Sequence, residues 1–117
     1  MKPILKISDG LQRVLGFLDD DPLLDEATKV RMTTVLTAAE NWVQNSIGTD
    51  DISFYAKDDV KDLYTTACNA VASNWFNHPS TSTVSTTAEQ IIGQLRGTYD
   101  LEQEEKNNGT ASERGPA

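Results

Sequence analysis

The side chains that most often carry out catalysis are scarce in this chain. It has one histidine, His78, and one cysteine, Cys68, among 117 residues. His78 precedes Pro79 at the end of a predicted helix, where a protonated imidazole interacts favourably with the helix dipole. Cys68 has no basic neighbour and no helix N-terminus beside it, so we predict a partly buried, unreactive thiol. No nucleophile and base are paired by their spacing, and we therefore expect no enzymatic activity and no catalytic residue.

Carboxylates are the other candidates for chemistry, because acidic clusters bind divalent metals. The densest cluster is Asp19, Asp20 and Asp21, followed by Asp25 and Glu26. It lacks the glycine and the closing glutamate at the spacing that defines a calcium loop. Helix capping and a solvated surface account for the cluster. We predict neither a metal nor a cofactor.

The charge balance narrows the possible partners. Ten basic residues against 18 acidic ones give a net charge of −8, which argues against a protein that grips nucleic-acid phosphates. Residues 1–99 carry thirteen acidic and eight basic residues, so the predicted folded part is itself acidic. Apolar runs never exceed three residues, against about 20 needed to cross a bilayer, and no membrane association is expected. The start of the chain does not resemble a signal peptide, and one cysteine fits a reducing cytosol.

Hydrophobic periodicity predicts an all-α fold built on a long antiparallel helix hairpin. The first helix is predicted over 22–47, with Asp21 as N-cap, Pro22 in the first position and Gly48 as the stop. Its apolar face comprises Met32, Val35, Leu36, Ala39, Trp42, Val43 and Ile47. The second helix is predicted to begin near residue 58 or 59 and to end at His78. Its face comprises Val60, Leu63, Tyr64, Ala67, Val71, Asn74 and Trp75. We expect ten of these residues to form the core: Met32, Leu36, Ala39, Trp42, Val43, Leu63, Tyr64, Ala67, Val71 and Trp75.

Two weaker helices flank the hairpin. A short N-terminal helix is predicted with Ser8 as its cap and an apolar face of Leu11, Val14, Leu15 and Leu18. A last helix is predicted to start with a capping box of Thr86 and Glu89. Gly93 and Gly97 weaken it by about 1 kcal/mol each relative to alanine, so it needs a partner surface. The predicted organisation is a helical domain over 1–99 and a polar, disordered tail over 100–117.

Several stretches of the sequence resemble the head-to-tail connector (adaptor) family of long-tailed bacteriophages. They are Lys29-Val30-Arg31-Met32 with Trp42-Val43 and Ile47-Gly48; Phe54-Tyr55, Asp62-Leu63-Tyr64 and Trp75-Phe76-Asn77-His78-Pro79; and Ile91-Ile92-Gly93-Gln94-Leu95-Arg96. The likeness covers roughly residues 8 to 99, including the order and spacing of the helices. The polar tail after Tyr99 departs from the family pattern.

The resemblance implies a structural virion protein of the phage neck that assembles on the portal protein as a dodecameric ring after DNA packaging. Such a ring extends the channel for double-stranded DNA without sequence-specific binding and carries the next neck or stopper (tail-completion) protein. The implied location is the virion, with the host cytoplasm during assembly. In related adaptors the C-terminal segment docks on the portal, which assigns portal docking here to Ile91, Ile92, Leu95, Arg96 and Tyr99.

An acidic channel wall would repel the phosphate backbone and let DNA slide. Asp50 and Asp51, on the connection between the two long helices, are the candidates to line the channel; a solvated loop without a special role is the alternative. Two other functions remain open: an acidic DNA mimic that inhibits a DNA-binding protein, and a helical scaffold unrelated to phage.

Overall fold

The computed structural model describes residues 1–18, 20–80 and 83–113, and it is all-α, as predicted. Four α-helices follow one another along the chain: α1 (Leu11–Val14), α2 (Glu26–Ile47), α3 (Lys61–Asn77) and α4 (Thr86–Glu113). Two short 3₁₀ helices, Ile7–Asp9 and Ile52–Ala56, precede α1 and α3. The described residues contain no β-strand, and none of their helices is long and apolar enough to cross a membrane.

Helices α2 and α3 form the antiparallel hairpin. The beginning of α2 meets the end of α3, where the Arg31 guanidinium lies 4.4 Å from the centre of the Phe76 ring. The end of α2 meets the beginning of α3, where the Gln44 amide donates a 2.8 Å hydrogen bond to the Tyr64 hydroxyl. Of the ten residues predicted for the core, seven are buried: Met32, Leu36, Ala39, Val43, Tyr64, Ala67 and Val71. The other three, Trp42, Leu63 and Trp75, are half-buried against that core.

The two tryptophans meet at the outer edge of the hairpin. Their ring centres are 6.4 Å apart and the planes are inclined by 77°, an edge-to-face arrangement that aromatic pairs favour. Trp42 and Trp75 therefore join α2 to α3, which is the structural role that their positions on the two apolar faces predict.

The helix starts differ from the predicted ones. Helix α2 begins at Glu26 rather than Pro22, because Asp25 is the residue whose carboxylate accepts a 2.8 Å hydrogen bond from the Thr28 amide. Asp21 instead accepts from the Leu23 amide and closes a turn before the helix. Both positions suit an aspartate that accepts from a nearby amide, and the sequence alone did not separate them. The predicted stop at Gly48 is the observed C-cap.

Helix α4 begins at Thr86, and its cap is the residue before. The Ser85 hydroxyl accepts from the Ala88 amide at 3.2 Å, so Ser85 caps the helix in place of Thr86, and Ala88 has no side chain that could complete a capping box. At the other end of the chain, Ser8 lies inside a 3₁₀ helix and does not cap α1. Of the four residues predicted for the α1 face, Leu11 is buried and Leu15 half-buried, whereas Val14 and Leu18 are exposed.

Aromatic side chains order the connection between α2 and α3. Phe54 and Tyr55 are buried, and the Tyr55 hydroxyl donates to the Gly48 carbonyl. Tyr99 of α4 packs edge-to-face on Phe54, with ring centres 5.1 Å apart. Gly48 is required here by space: a Cβ at this position would overlap the Tyr99 ring. The connection is thus a surface on which α4 docks.

Candidate interaction site

Helix α4 obtains its partner surface from the hairpin of its own chain. Among the residues assigned to portal docking, Ile92, Leu95 and Tyr99 are buried in the core, with 7%, 1% and 5% of their surface exposed. Ile91 is half-buried and Arg96 is exposed. Only Ile91 and Arg96 therefore offer surface to a second protein while α4 stays packed. The exposed side of α4 also carries Leu101, which is 56% exposed.

The two aspartates proposed for the channel wall occupy different environments. Asp50 is exposed, and its amide donates a 3.1 Å hydrogen bond to the Tyr99 hydroxyl. The Asp51 carboxylate is only 14% exposed and forms an ion pair with Lys106 of α4, with 2.6 Å between the charged atoms. It also accepts from the Ser53 hydroxyl and from the Gln103 amide. Lys106 and Ser53 hold the pKa of the Asp51 carboxyl well below its usual range. Asp51 is therefore committed to holding α4.

These contacts account for the largest difference from the sequence prediction. Residues from 100 onward were expected to be a disordered tail, but α4 continues to Glu113; residues 114–117 lie outside the described residues. The polar composition correctly indicated that no apolar face continues. In place of an apolar face, this part of α4 has two ion pairs with the α2–α3 connection. They join Lys57 to Glu102 and Asp51 to Lys106. We call these four residues the polar latch.

Opening the polar latch is expected to loosen the second half of α4 while leaving the hairpin folded. Asp51→Asn removes the charge that Lys106 faces, so backbone amides of 100–107 should exchange with deuterium faster, and raised salt should produce the same change by screening. The lowered pKa of Asp51 means that this contribution is present above its ordinary pKa of about 3.9 and is lost as the pH falls below that value. Hydrogen exchange measured by mass spectrometry would show the change.

Asp50→Asn is the matched control for that experiment, because its side chain is exposed and its contact with Tyr99 is made by the backbone. Equal exchange rates in both variants would contradict a latch centred on Asp51.

The N-terminal segment is held by a buried carboxylate that the sequence analysis did not single out. Glu40 is fully buried, and one of its oxygens accepts from the amides of Ile4 and Leu5, at 3.0 and 3.1 Å, and from the Tyr64 hydroxyl at 2.8 Å. Gln44, also fully buried, donates to the Lys2 carbonyl at 3.0 Å. The spacing could have revealed them, since Glu40 and Gln44 follow Leu36 at intervals of four on the core side of α2. Glu40 and Gln44 therefore attach residues 2–5 to helix α2.

Cys68 and His78, the one cysteine and the one histidine of the chain, lie in different environments. Cys68 is fully buried, deeper than predicted, and burial raises the pKa of its thiol, so the reactive thiolate is disfavoured. His78 is exposed at the C-cap of α3, where its amide donates to the Asn74 carbonyl at 2.9 Å.

The acidic cluster before α2 shows no metal-binding arrangement. Asp25 is used as a helix cap, Asp21 closes a turn, and Asp20 is exposed, while Asp19 lies outside the described residues. Within the part of the chain that is described, no group of three or more histidine, cysteine or acidic side chains is placed to hold a metal.

An apolar groove of about 200 Å³ opens between the beginning of α2 and the end of α3. We call it the α2–α3 groove; it is lined by Val30, Arg31, Thr34, Val35, Trp75, Phe76 and Pro79. Val30 is 62% exposed at its edge. This groove and the outward side of α4 are thus two surfaces that could meet other proteins.

Comparison with known proteins identifies no relative: no family model, no curated protein and no solved structure matches the chain.

Proposed function

We propose that the protein is a connector subunit of a long-tailed phage neck, which joins others in a ring on the portal and extends the DNA channel. The observation that carries the proposal is the sequence resemblance over residues 8 to 99, in particular the segments Trp75-Phe76-Asn77-His78-Pro79 and Ile91-Ile92-Gly93-Gln94-Leu95-Arg96. The first segment ends α3, the second lies in α4, and the sequence between the two helices is short and rich in serine and threonine. This order of helices is the one that the resemblance implies.

The use of the carboxylates favours this function over DNA mimicry. A mimic presents its acidic groups as an array along one surface, in place of DNA phosphates. Here Asp25 caps a helix, Glu40 is buried under the N-terminal segment, and Asp51 and Glu102 face lysines. These carboxylates stabilise the fold, while the overall excess of acid still disfavours adhesion of DNA.

The portal-docking surface in this proposal is the outward side of α4. Because Ile92, Leu95 and Tyr99 are buried under the helix, docking falls to Ile91, Arg96 and the exposed Leu101. An exposed leucine and an exposed arginine on one helix can both contribute to an interface, since interfaces combine apolar contact with arginine hydrogen bonds.

The double variant R96E/L101D is expected to lower the affinity for purified portal rings by about a hundredfold, as loss of two central interface residues does. Binding would be measured by co-sedimentation, and ring formation by end-on electron microscopy. The matched control is R13E/V14D, which makes equivalent changes on α1, where Val14 is as exposed as Leu101, at 56%.

Two results would count against the proposal in different ways. Equal portal binding by R96E/L101D and R13E/V14D would exclude this side of α4 as the docking surface. A wild-type chain that forms no ring on any portal of a long-tailed phage would exclude the connector function itself.

Asp50 remains the candidate for the channel wall, because its carboxylate is exposed whereas that of Asp51 is engaged. Phage carrying Asp50→Lys should assemble normally and eject DNA more slowly, since a ring of lysines attracts the passing phosphates. Ejection at the wild-type rate would remove Asp50 from the channel.

A further inference from the structure

The α2–α3 groove combines an apolar lining with one arginine. It would therefore suit an apolar side chain that has an acidic residue near it in the sequence. Its floor is apolar, and the Arg31 guanidinium lies over the Phe76 ring, 4.4 Å from its centre, so a positive charge is held at the groove by an aromatic neighbour. Arg31 forms no ion pair with any carboxylate of the described residues. An occupant that brings a carboxylate to Arg31 and an apolar side chain to Val30 would complement the groove in charge and in polarity.

The chain itself carries a segment of that chemistry in the turn between α1 and α2. Leu18 and Leu23 are the most exposed of its large apolar residues, at 76% and 73%, and Asp20 is exposed between them. The turn is fixed in shape by hydrogen bonds, because the Leu24 amide donates to the Asp21 carbonyl and the Leu23 amide to the Asp21 carboxylate. We call residues 20–24 the acidic turn.

We propose that the α2–α3 groove of one copy of the chain binds the acidic turn of a second copy, with Leu23 in the groove and Asp20 beside Arg31. The two patches are different surfaces of one subunit, which is what contact between neighbours in a closed ring requires. The arrangement of the copies in a ring rests on the proposed function; the contact between the groove and the acidic turn does not. Charge complementarity between Asp20 and Arg31 selects the pairing, and the leucine supplies the buried apolar contact.

Leu101 of α4 is the other exposed leucine with acidic neighbours, so it is the alternative candidate to occupy the groove. It lies on the side of a regular helix, 56% exposed, and a groove of about 200 Å³ admits one or two side chains rather than a helix. A leucine that projects from a turn fits that space better.

Site-directed cross-linking tests the contact directly. The variants Leu23→Cys and Thr34→Cys each place a thiol at an exposed position, one in the acidic turn and one in the groove, while the natural Cys68 is fully buried. Mixed at high concentration under mild oxidation, they should form a disulfide-linked heterodimer about tenfold faster than the control mixture of Leu101→Cys with Thr34→Cys, because contact raises the effective thiol concentration. Mass spectrometry would identify the linked peptides.

The charge pair is tested in the same assay. Adding Arg31→Glu to the groove variant should reduce the cross-linking rate to that of the control, and adding Asp20→Lys to the turn variant as well should restore it. Equal rates in the two starting mixtures, faster linkage through Leu101, or no rescue by the reversed pair would each overturn the proposal. Portal binding is measured separately. Loss of the specific cross-link with intact portal binding would refute this inference alone. A specific cross-link without portal binding would refute the proposed function alone.

Discussion

The substitution Glu40→Ala is expected to destabilise the fold by about 3–5 kcal/mol, a large share of the stability of a small domain. One Glu40 oxygen accepts from the Ile4 and Leu5 amides and from the Tyr64 hydroxyl. Alanine would leave these donors without an acceptor and would open a cavity in a fully buried position. Urea unfolding followed by circular dichroism would give the free energy of unfolding.

Glu40→Gln is the matched control for this prediction. The amide oxygen keeps an acceptor at the same place, so the loss should be about 1 kcal/mol, the value of a neutral hydrogen bond against a charged one. Equal destabilisation by alanine and glutamine would show that the charge of Glu40 matters and that the three hydrogen bonds do not. In that case the attachment of residues 2–5 would need another explanation.

The protein is expected to lose stability progressively above about pH 9, by up to about 1.4 kcal/mol per pH unit for each group involved. Burial raises the pKa of Cys68, Tyr55 and Tyr64, all of which are almost completely inaccessible. Below the ordinary pKa values, about 8.5 for cysteine and 10 for tyrosine, these groups are protonated in both states and the stability is complete. Above those values the unfolded chain releases protons that the folded chain retains, so unfolding becomes progressively favoured.

Absorbance of tyrosinate, recorded together with circular dichroism, would test the alkaline prediction. Tyrosinate from Tyr55 and Tyr64 should appear together with the loss of helix. In Cys68→Ala the decline should begin about 1.5 pH units higher, because tyrosine then sets the onset. Ionisation of these tyrosines near pH 10 in a chain that remains helical would contradict the burial on which the argument depends.

The apolar periodicity was sufficient to predict the hairpin, because Met32, Leu36, Val43, Tyr64 and Val71 follow the helical period and must turn to one side. Helix starts were predicted less well. At Asp21 and Asp25 the same short side chain can cap a helix or close a turn, so the residue type alone does not decide where the helix begins.

The interaction surfaces were predictable only in part. Ile92, Leu95 and Tyr99 were recognised as an apolar face that needs a partner, but periodicity does not say whether that partner is the same chain or another protein. The extension of α4 beyond Tyr99 rests on Lys57 and Asp51, about fifty positions away in the sequence. Charged residues at that separation carry no periodic signal, so composition alone indicated disorder.

The contact between Tyr99 and the α2–α3 connection has a consequence for the order of folding. Tyr99 fits against Gly48, accepts a hydrogen bond from the amide of Asp50 and packs edge-to-face on Phe54. These partners are up to 51 positions away in the sequence. Contacts at such separation form late, because a long loop must close before they contribute, whereas the hairpin is stabilised by nearer ones. Helix α4 is thus expected to settle after the hairpin and its connection have formed. The helix that is proposed to meet the portal would then be the last part of a newly made subunit to reach its final position.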